Sequence, residues 1–254
     1  MFQFTDTQLL TWLAAVVYPF VRIAALIGTA PILSDPSVPR RIKVGLAIFV
    51  TILVAPGIEA VPDVQLMSGE GFLLIARQLL LGAAMGFTMR LAFAAIEYAG
   101  DVIGFQMGLG YATLLDPETN DQTPLLGSLL RYFASLAFLV ANGPLLMIAG
   151  VSESFRGLPI AGSGGLFGDW QNLVMQGATV FSLALHMAMP VIAALLVTNV
   201  ALGVMTRAAP QLNLFSIGFP ITITVGLLVL VISMPAVLGI AESALAETAG
   251  RLLR

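Results

Sequence analysis

Apolar positions dominate this chain and form long runs that polar residues interrupt at only a few places. The first runs cover residues 9–33, 42–58 and 72–96, and further runs follow at 98–115 and 125–151. A helix needs about 20 apolar residues to cross the hydrocarbon core of a bilayer. The pattern therefore predicts a series of membrane-spanning helices, with 42–58 short for a span and the glycine-rich run 98–115 ambiguous.

The last third of the chain carries apolar runs that are too long for a bilayer alone. No Asp, Glu, Lys or Arg occurs between Asp169 and Arg207, and residues 208–241 are uncharged as well. A straight helix of either length, at about 1.5 Å per residue, would far exceed a hydrocarbon core of about 30 Å. These helices therefore either bend strongly or project past the lipid into a protein assembly. The candidate positions for kinks or helix ends are Pro190, Pro210, Pro220 and Pro235.

Composition supports a membrane protein and argues against an enzyme. Only 10% of the residues are charged and the mean hydropathy is +0.97, whereas an ordinary globular domain carries about 25% charged residues. The net charge of −3 is spread along the chain, so there is no basic surface for nucleic acid. The chain has no cysteine, and His186 is its single histidine. Most transition-metal sites and catalytic triads therefore lack the residues that they need. We therefore expect no enzymatic activity and no cofactor.

Several charged side chains nevertheless lie inside the apolar runs. A guanidinium at mid-bilayer costs between about 2.5 and 17 kcal/mol, depending on the method. We therefore expect Arg22, near the middle of its run, to be buried against protein, whereas Arg90 fits burial and snorkelling to the membrane surface equally well. Glu97 and Asp101 are four residues apart, hence on one helical face, and are natural partners for the arginines. The predicted buried charge network comprises Arg22, Arg77, Arg90, Glu97, Asp101 and Arg131.

Glycines recur at four-residue spacing in the middle of the chain, at Gly82, Gly86, Gly100 and Gly104. Small residues at this spacing form a flat stripe on which another helix can lie closely. Packing within the chain and packing against another subunit are equally consistent with this pattern. Residues 108–124 then change from glycines through an apolar turn to a polar segment, and considered alone they favour an external loop over a loop folded into a pore.

Three blocks of sequence resemble the FliR family, the R subunits of the flagellar type III export gate, which are related to the T subunits of injectisomes. They are Ala-Pro-Ile-Leu-Ser at 30–34, Phe-Gln-Met-Gly-Leu-Gly-Tyr-Ala at 105–112, and Arg-Ala-Ala-Pro-Gln-Leu-Asn-Leu-Phe-Ser-Ile-Gly-Phe-Pro at 207–220. The likeness runs from Phe2 nearly to the end, in the same order and spacing. The third block is the most specific, and its motif residues are Arg207, Pro210, Gln211, Asn213, Gly218 and Pro220.

The resemblance implies an all-α integral membrane protein built of helical hairpins. Residues 1–254 would form a single membrane domain, in which residues 1–169 correspond to a P-like subunit and residues 170–254 to a Q-like helical hairpin. The hairpins would pack in a right-handed helical hetero-oligomer with P-type and Q-type export-gate subunits, and the B-type gate subunit and the A-type export protein are further expected partners. The implied location is the bacterial inner membrane at the flagellar basal body, in contact with membrane lipid.

The resemblance also implies a function for residues 108–124, which we call the plug loop. In the family this loop folds into the central channel through which unfolded flagellar subunits pass, which reverses the preference for an external loop. A narrow apolar constriction would keep the pore dry, and Gly108 and Gly110 would let the loop swing aside. The expected plug residues are Gly108, Gly110, Tyr111, Ala112, Thr113, Leu114, Leu115, Asp116 and Pro117.

The main alternative function is a secondary transporter. In such a protein, the embedded Arg, Glu and Asp residues would bind a substrate or protons at a broken helix. A transporter would work alone or as a symmetric oligomer, whereas an export-gate subunit needs its partner subunits. Behaviour with and without those partners therefore separates the two functions.

Overall fold

A computed structural model of the chain describes residues 6–58, 64, 66–110, 124–160, 170–209 and 214–252, and within them all regular secondary structure is helical. The predicted all-α class is therefore confirmed. The hairpin arrangement and the helical hetero-oligomer stay predictions. The helices are α1 Asp6–Thr29, α2 Arg40–Val54 with a 3-10 turn at Ala55–Gly57, α3 Gly69–Gln106, α4 Leu125–Val140, α5 Gly143–Gly157, α6 Trp170–Ala208 and α7 Leu214–Leu252.

Four of these helices, α1, α3, α6 and α7, are long and apolar enough to cross a membrane, and α4 with α5 would be a fifth span if the pair counts as one. Helices α3, α6 and α7 contain 38, 39 and 39 residues. At about 1.5 Å per residue, each is nearly twice as long as a hydrocarbon core of about 30 Å is thick. The prediction of overlong helices is confirmed for the last third and extends to α3.

Helix α3 differs from the sequence-based expectation, which separated residues 72–96 from 98–115. The structure joins them into one helix, because charged side chains such as Glu97 and Asp101 do not interrupt the hydrogen bonds of the helix backbone. The single run expected at 125–151 is instead split. Asn142 has a left-handed backbone with φ of 56°, and its carbonyl oxygen accepts the N–H groups of Leu145 and Leu146 at the start of α5.

The chain divides into two compact units, and each unit combines segments that are distant from one another in the sequence. The first contains Met1–Leu91, Asn142–Gln176 and Leu245–Arg254, and the second contains Ala92–Ala141 and Gly177–Ala244. The predicted division into a P-like part at residues 1–169 and a Q-like hairpin at residues 170–254 is a different one, and it stays a prediction.

In the first unit, α1 lies against the glycines of α3. A Cβ atom at Gly82 would overlap the carbonyl oxygen of Arg22, and one at Gly86 would overlap the hydroxyl of Thr29. The Thr29 hydroxyl also lies 3.3 Å from the carbonyl oxygen of Ala83. Both glycines therefore serve packing within the chain, because only a residue without a side chain permits this approach.

The second unit is built around a buried apolar cluster. Its members come from α3 and the turn that follows it, and from α4, α6 and α7; they are Ile103, Met107, Leu126, Ala188, Val191, Leu195 and Leu230. A Cβ atom at Gly100 would lie 2.5 Å from the Leu126 carbonyl oxygen, so this glycine brings α3 close to α4. At Gly104 a Cβ would make ordinary contacts of 3.8 Å with Leu126, so alanine would also fit at this position.

Candidate plug loop and its supporting residues

The first arginine of the predicted charge network lies in α1 and is buried. Arg22 is 0% exposed, and its Nε donates to Gln78 Oε1 at 2.7 Å. One terminal nitrogen donates to the carbonyl and hydroxyl oxygens of Ser154 at 3.0 and 3.1 Å, and the other donates to the Leu158 carbonyl at 2.9 Å. The guanidinium carbon also lies 4.1 Å from the centre of the Phe155 ring. The expected burial of Arg22 against protein is confirmed, and this side chain ties α1 to α3 and to the end of α5.

The partners of Arg22 are neutral oxygens and an aromatic ring, whereas the sequence suggested carboxylates. They lie 56 to 136 residues away along the chain, so no local pattern points to them. Arg77 is also buried in the first unit. Arg90 is exposed on the chain itself, so its place in a buried network stays a prediction that requires a second chain or lipid headgroups.

The other three charges of the predicted network belong to the second unit. Arg131 lies 3.9 Å from Glu97, and the two side chains are 45% and 38% exposed. One carboxylate oxygen of Asp101 is buried against Gly127, where it has no hydrogen-bond partner among the described residues. The Glu97–Arg131 pair is therefore a partly solvated contact between α3 and α4, and such pairs contribute little to stability.

The plug loop begins at a well-defined helix end. The N–H of Leu109 donates to the Gly104 carbonyl and the N–H of Gly108 donates to the Phe105 carbonyl, both at 3.0 Å. Gly108 has a φ of 84°, the left-handed conformation that such helix caps require and that glycine adopts without penalty. Gly108 therefore belongs to the cap that ends α3. The cap holds its backbone in one conformation, so Gly108 does not swing freely while the cap is intact.

Helix α7 holds the residue before this cap. Met107 is fully buried, and its carbonyl oxygen lies 3.1 Å from the Thr222 hydroxyl, which shares its one proton between this oxygen and the Phe219 carbonyl of α7 at 3.0 Å. Its side chain lies in the space that Gly226 leaves open, because a Cβ atom at Gly226 would be 2.5 Å from Met107 Cε and 2.7 Å from Cγ. The two contacts fix the start of the plug loop against α7.

Sequence reasoning missed Thr222 and Gly226, although both follow the third family block. An isolated glycine inside a helix costs about 1 kcal/mol relative to alanine, but the sequence does not distinguish Gly226 from Gly239 of the same helix, where an added Cβ meets no atom within 4 Å. Thr222 carried no signal in the sequence either, because its partner Met107, directly after α3, is 115 residues away.

Most of the predicted plug lies beyond the described residues. Gly110 is described, and a Cβ atom there would lie 2.8 Å from the Phe105 ring. The plug assignment stays a prediction. The plug residues outside the described part of the chain are Tyr111, Ala112, Thr113, Leu114, Leu115, Asp116 and Pro117.

The third family block connects α6 to α7. Arg207 is exposed in the last turn of α6, where a cation is favourable beside the carbonyl end of the helix. Gly218 is buried and Pro220 is exposed within α7. Pro210, Gln211 and Asn213 lie outside the described residues.

Comparison with known proteins places the chain in a family. Residues 13–248 match the family described as Bacterial export proteins, family 1. The chain belongs to this family. The resemblance to the FliR family is therefore confirmed, and the matched range includes the predicted charge network, the plug loop and the third block.

Curated relatives match this chain along most of their length. The Flagellar biosynthetic protein FliR of Escherichia coli (strain K12) is 42% identical, over 97% of this chain and 94% of the relative. The protein of the same name from Pectobacterium carotovorum subsp. carotovorum is 38% identical over the same shares of the two chains. That from Bacillus subtilis (strain 168) is 31% identical over 86% of this chain and 85% of the relative.

Proposed function

We propose that this chain is the R subunit of a flagellar protein-export gate in the bacterial inner membrane, at the flagellar basal body. The observation that carries this proposal is the family match from residue 13 to residue 248, with relatives named flagellar biosynthetic proteins. In this role the chain assembles with P-type and Q-type subunits around a channel for unfolded flagellar proteins.

The uncovered apolar surface of the long helices supports an assembly. Val197, Val200 and Val204 lie on one side of α6 at helical spacing, and they are 70%, 62% and 65% exposed. On α7, Val231 and Ile232 are 69% and 70% exposed. Since each helix is far longer than the bilayer core is thick, lipid alone does not cover such surfaces, and partner helices are the natural cover.

The plug loop supplies a mechanism for closing the channel. Its sequence from 108 to 117 offers small and apolar residues, and an apolar constriction excludes water and ions without a bound ligand. The gate is passive in this proposal, and the energy for export comes from other parts of the apparatus.

Two experiments test the proposal. The tagged chain, purified with and without coexpressed P-type and Q-type subunits, is expected to form a stable complex only in their presence. A stable, well-folded monomer that transports a small solute in liposomes would instead support the transporter. In the second experiment, deletion of residues 110–116 should leave assembly intact and make the membrane permeable to small ions, and an unchanged conductance would remove the plug assignment.

A further inference from the structure

We propose that Thr222 and Gly226 of α7 form a clamp on Met107 that fixes the base of the plug loop and thereby helps to keep the channel closed. The proposal rests on the proposed function, because it assigns positioning residues to the loop that closes the gate. It adds a specific control point on α7, outside the loop itself.

The first contact of the clamp is the hydrogen bond to the Met107 backbone. Carbonyl groups in the last turn of a helix lack partners within the helix, and Met107 is fully buried among apolar side chains. The Thr222 hydroxyl, 3.1 Å away, supplies a partner to this carbonyl. The same hydroxyl lies 3.0 Å from the Phe219 carbonyl of its own helix, so its one proton is shared between the two carbonyls. The Thr224 hydroxyl, in contrast, bonds to the Pro220 carbonyl within α7 at 2.7 Å.

The second contact is steric. The Met107 side chain occupies the place where any residue larger than glycine at 226 would put its Cβ atom. The thioether cannot simply turn away, since Met107 belongs to the buried cluster of the second unit and has no exposed surface. A methyl group at position 226 must therefore displace Met107 or push α7 away from it.

Two residues connect Met107 to the rest of the plug loop, and both are held in place. Gly108 follows Met107 directly and is held in the left-handed conformation by the helix cap. Leu109 then packs against the same buried cluster. The chain consequently enters the loop from a fixed position, and opening the gate requires either movement that begins at Gly110 or release of Met107 from α7.

Loss of either contact is expected to open the closed gate. In assembled export gates, Thr222→Val should raise ion leakage about two- to fivefold, because the shared hydrogen bond contributes no more than one typical hydrogen bond. Gly226→Ala should raise leakage at least as much. The matched controls are Thr224→Val, and Gly239→Ala on the same helix, where an added Cβ meets no atom within 4 Å. Leakage that stays at the wild-type level in both clamp variants would overturn the proposal.

A rescue variant separates a specific clamp from general damage to α7. Gly226→Ala combined with Met107→Ala removes the overlapping atoms, so the double variant should assemble and leak less than Gly226→Ala alone. Equal or greater leakage in the double variant would contradict the steric contact.

A labelling measurement reports on the loop base without relying on leakage. The chain has no cysteine, so Leu109→Cys introduces a single thiol at the start of the loop. Its reaction with a maleimide should be several-fold faster in the Thr222→Val and Gly226→Ala backgrounds than in the two controls. Unchanged labelling in both backgrounds would show that α7 does not hold the loop base, even if the variants leak.

The deletion of residues 110–116 distinguishes failure of this inference from failure of the proposed function. If the deletion leaks while both clamp variants stay tight, the loop closes the channel but the clamp does not position it. If the deletion stays tight, the loop is no plug, and the clamp proposal falls with it.

Discussion

The buried guanidinium of Arg22 offers a direct test of what holds the first unit together. Arg22→Met replaces it by an unbranched side chain that ends near the position of Nε and cannot donate hydrogen bonds. The Ser154 carbonyl keeps the N–H of Leu158 as a partner. Gln78 Oε1 and the Leu158 carbonyl, in contrast, lose the hydrogen bonds that Arg22 makes to them.

The size of the effect follows from these contacts. Loss of its partner costs the buried acceptor Gln78 Oε1 about 1–3 kcal/mol, whereas the Leu158 carbonyl belongs to an exposed residue and costs less. The lost contact with the Phe155 ring costs about 1–2 kcal/mol. Removing a buried charge offsets part of this loss, because the guanidinium no longer has to be taken out of water. We therefore expect a net destabilisation of about 3 kcal/mol from these contributions, which corresponds to a fall in Tm of about 8 °C for a chain of this size.

The assay is thermal dissociation of the detergent-purified complex with its partner subunits, followed by the fraction that remains assembled after heating. Arg156→Gln is the matched control, because Arg156 forms an exposed pair with Glu153 at 3.1 Å in the same unit. Exposed pairs contribute less than about 1 kcal/mol, so the control should melt within a few degrees of wild type. If Arg22→Met and Arg156→Gln melted at the same temperature, the structural role of Arg22 would be refuted.

Three further substitutions test other contacts by the same thermal assay. Gly82→Ala should destabilise by about 1–3 kcal/mol, because the added methyl overlaps the backbone of α1; Gly45→Ala, where a Cβ meets nothing within 4 Å, should be neutral or stabilising, and the opposite order would contradict the packing. Gly108→Val should cost more than Gly108→Asn, because a φ of 84° disfavours β-branched residues most; equal melting of the two variants would argue against the cap. Glu97→Gln should change stability by less than about 1 kcal/mol, since its contact with Arg131 is long and partly exposed, and a large loss would mean that this pair is buried in the assembly.

The long helices could be predicted because their signal is local. An absence of charge from 170 to 206 requires surroundings other than water, and helix length follows directly from the number of residues. The break before α5 was missed, since residues 125–151 were expected to form one run, although Asn142-Gly143-Pro144 combines a turn-forming pair with a proline that fits the first turn of a helix. The continuity of α3 was missed because Glu97 interrupts the apolar run and resembled a boundary, although a charged side chain leaves the hydrogen bonds of the helix backbone intact.

The supporting contacts of the candidate site could not be predicted, because they join distant parts of the chain. The burial of Arg22 followed from the cost of a charge in lipid, but its acceptors come from α3 and the end of α5. The clamp on Met107 likewise depends on how α7 packs against the end of α3. Only the tertiary arrangement brings these residues together, and no spacing within the sequence encodes it.

The central claim is that this chain works as one subunit of an export-gate assembly. Its most direct test is to find what covers the exposed apolar faces of α6 and α7 in the cell. A photo-crosslinking amino acid at Val197 or Val231, each about 70% exposed on the chain, would be irradiated in a strain that assembles flagella. The account predicts crosslinks from these positions to P-type or Q-type export-gate subunits. Crosslinks to lipid alone at both positions, in a chain that also purifies as a stable monomer, would contradict it.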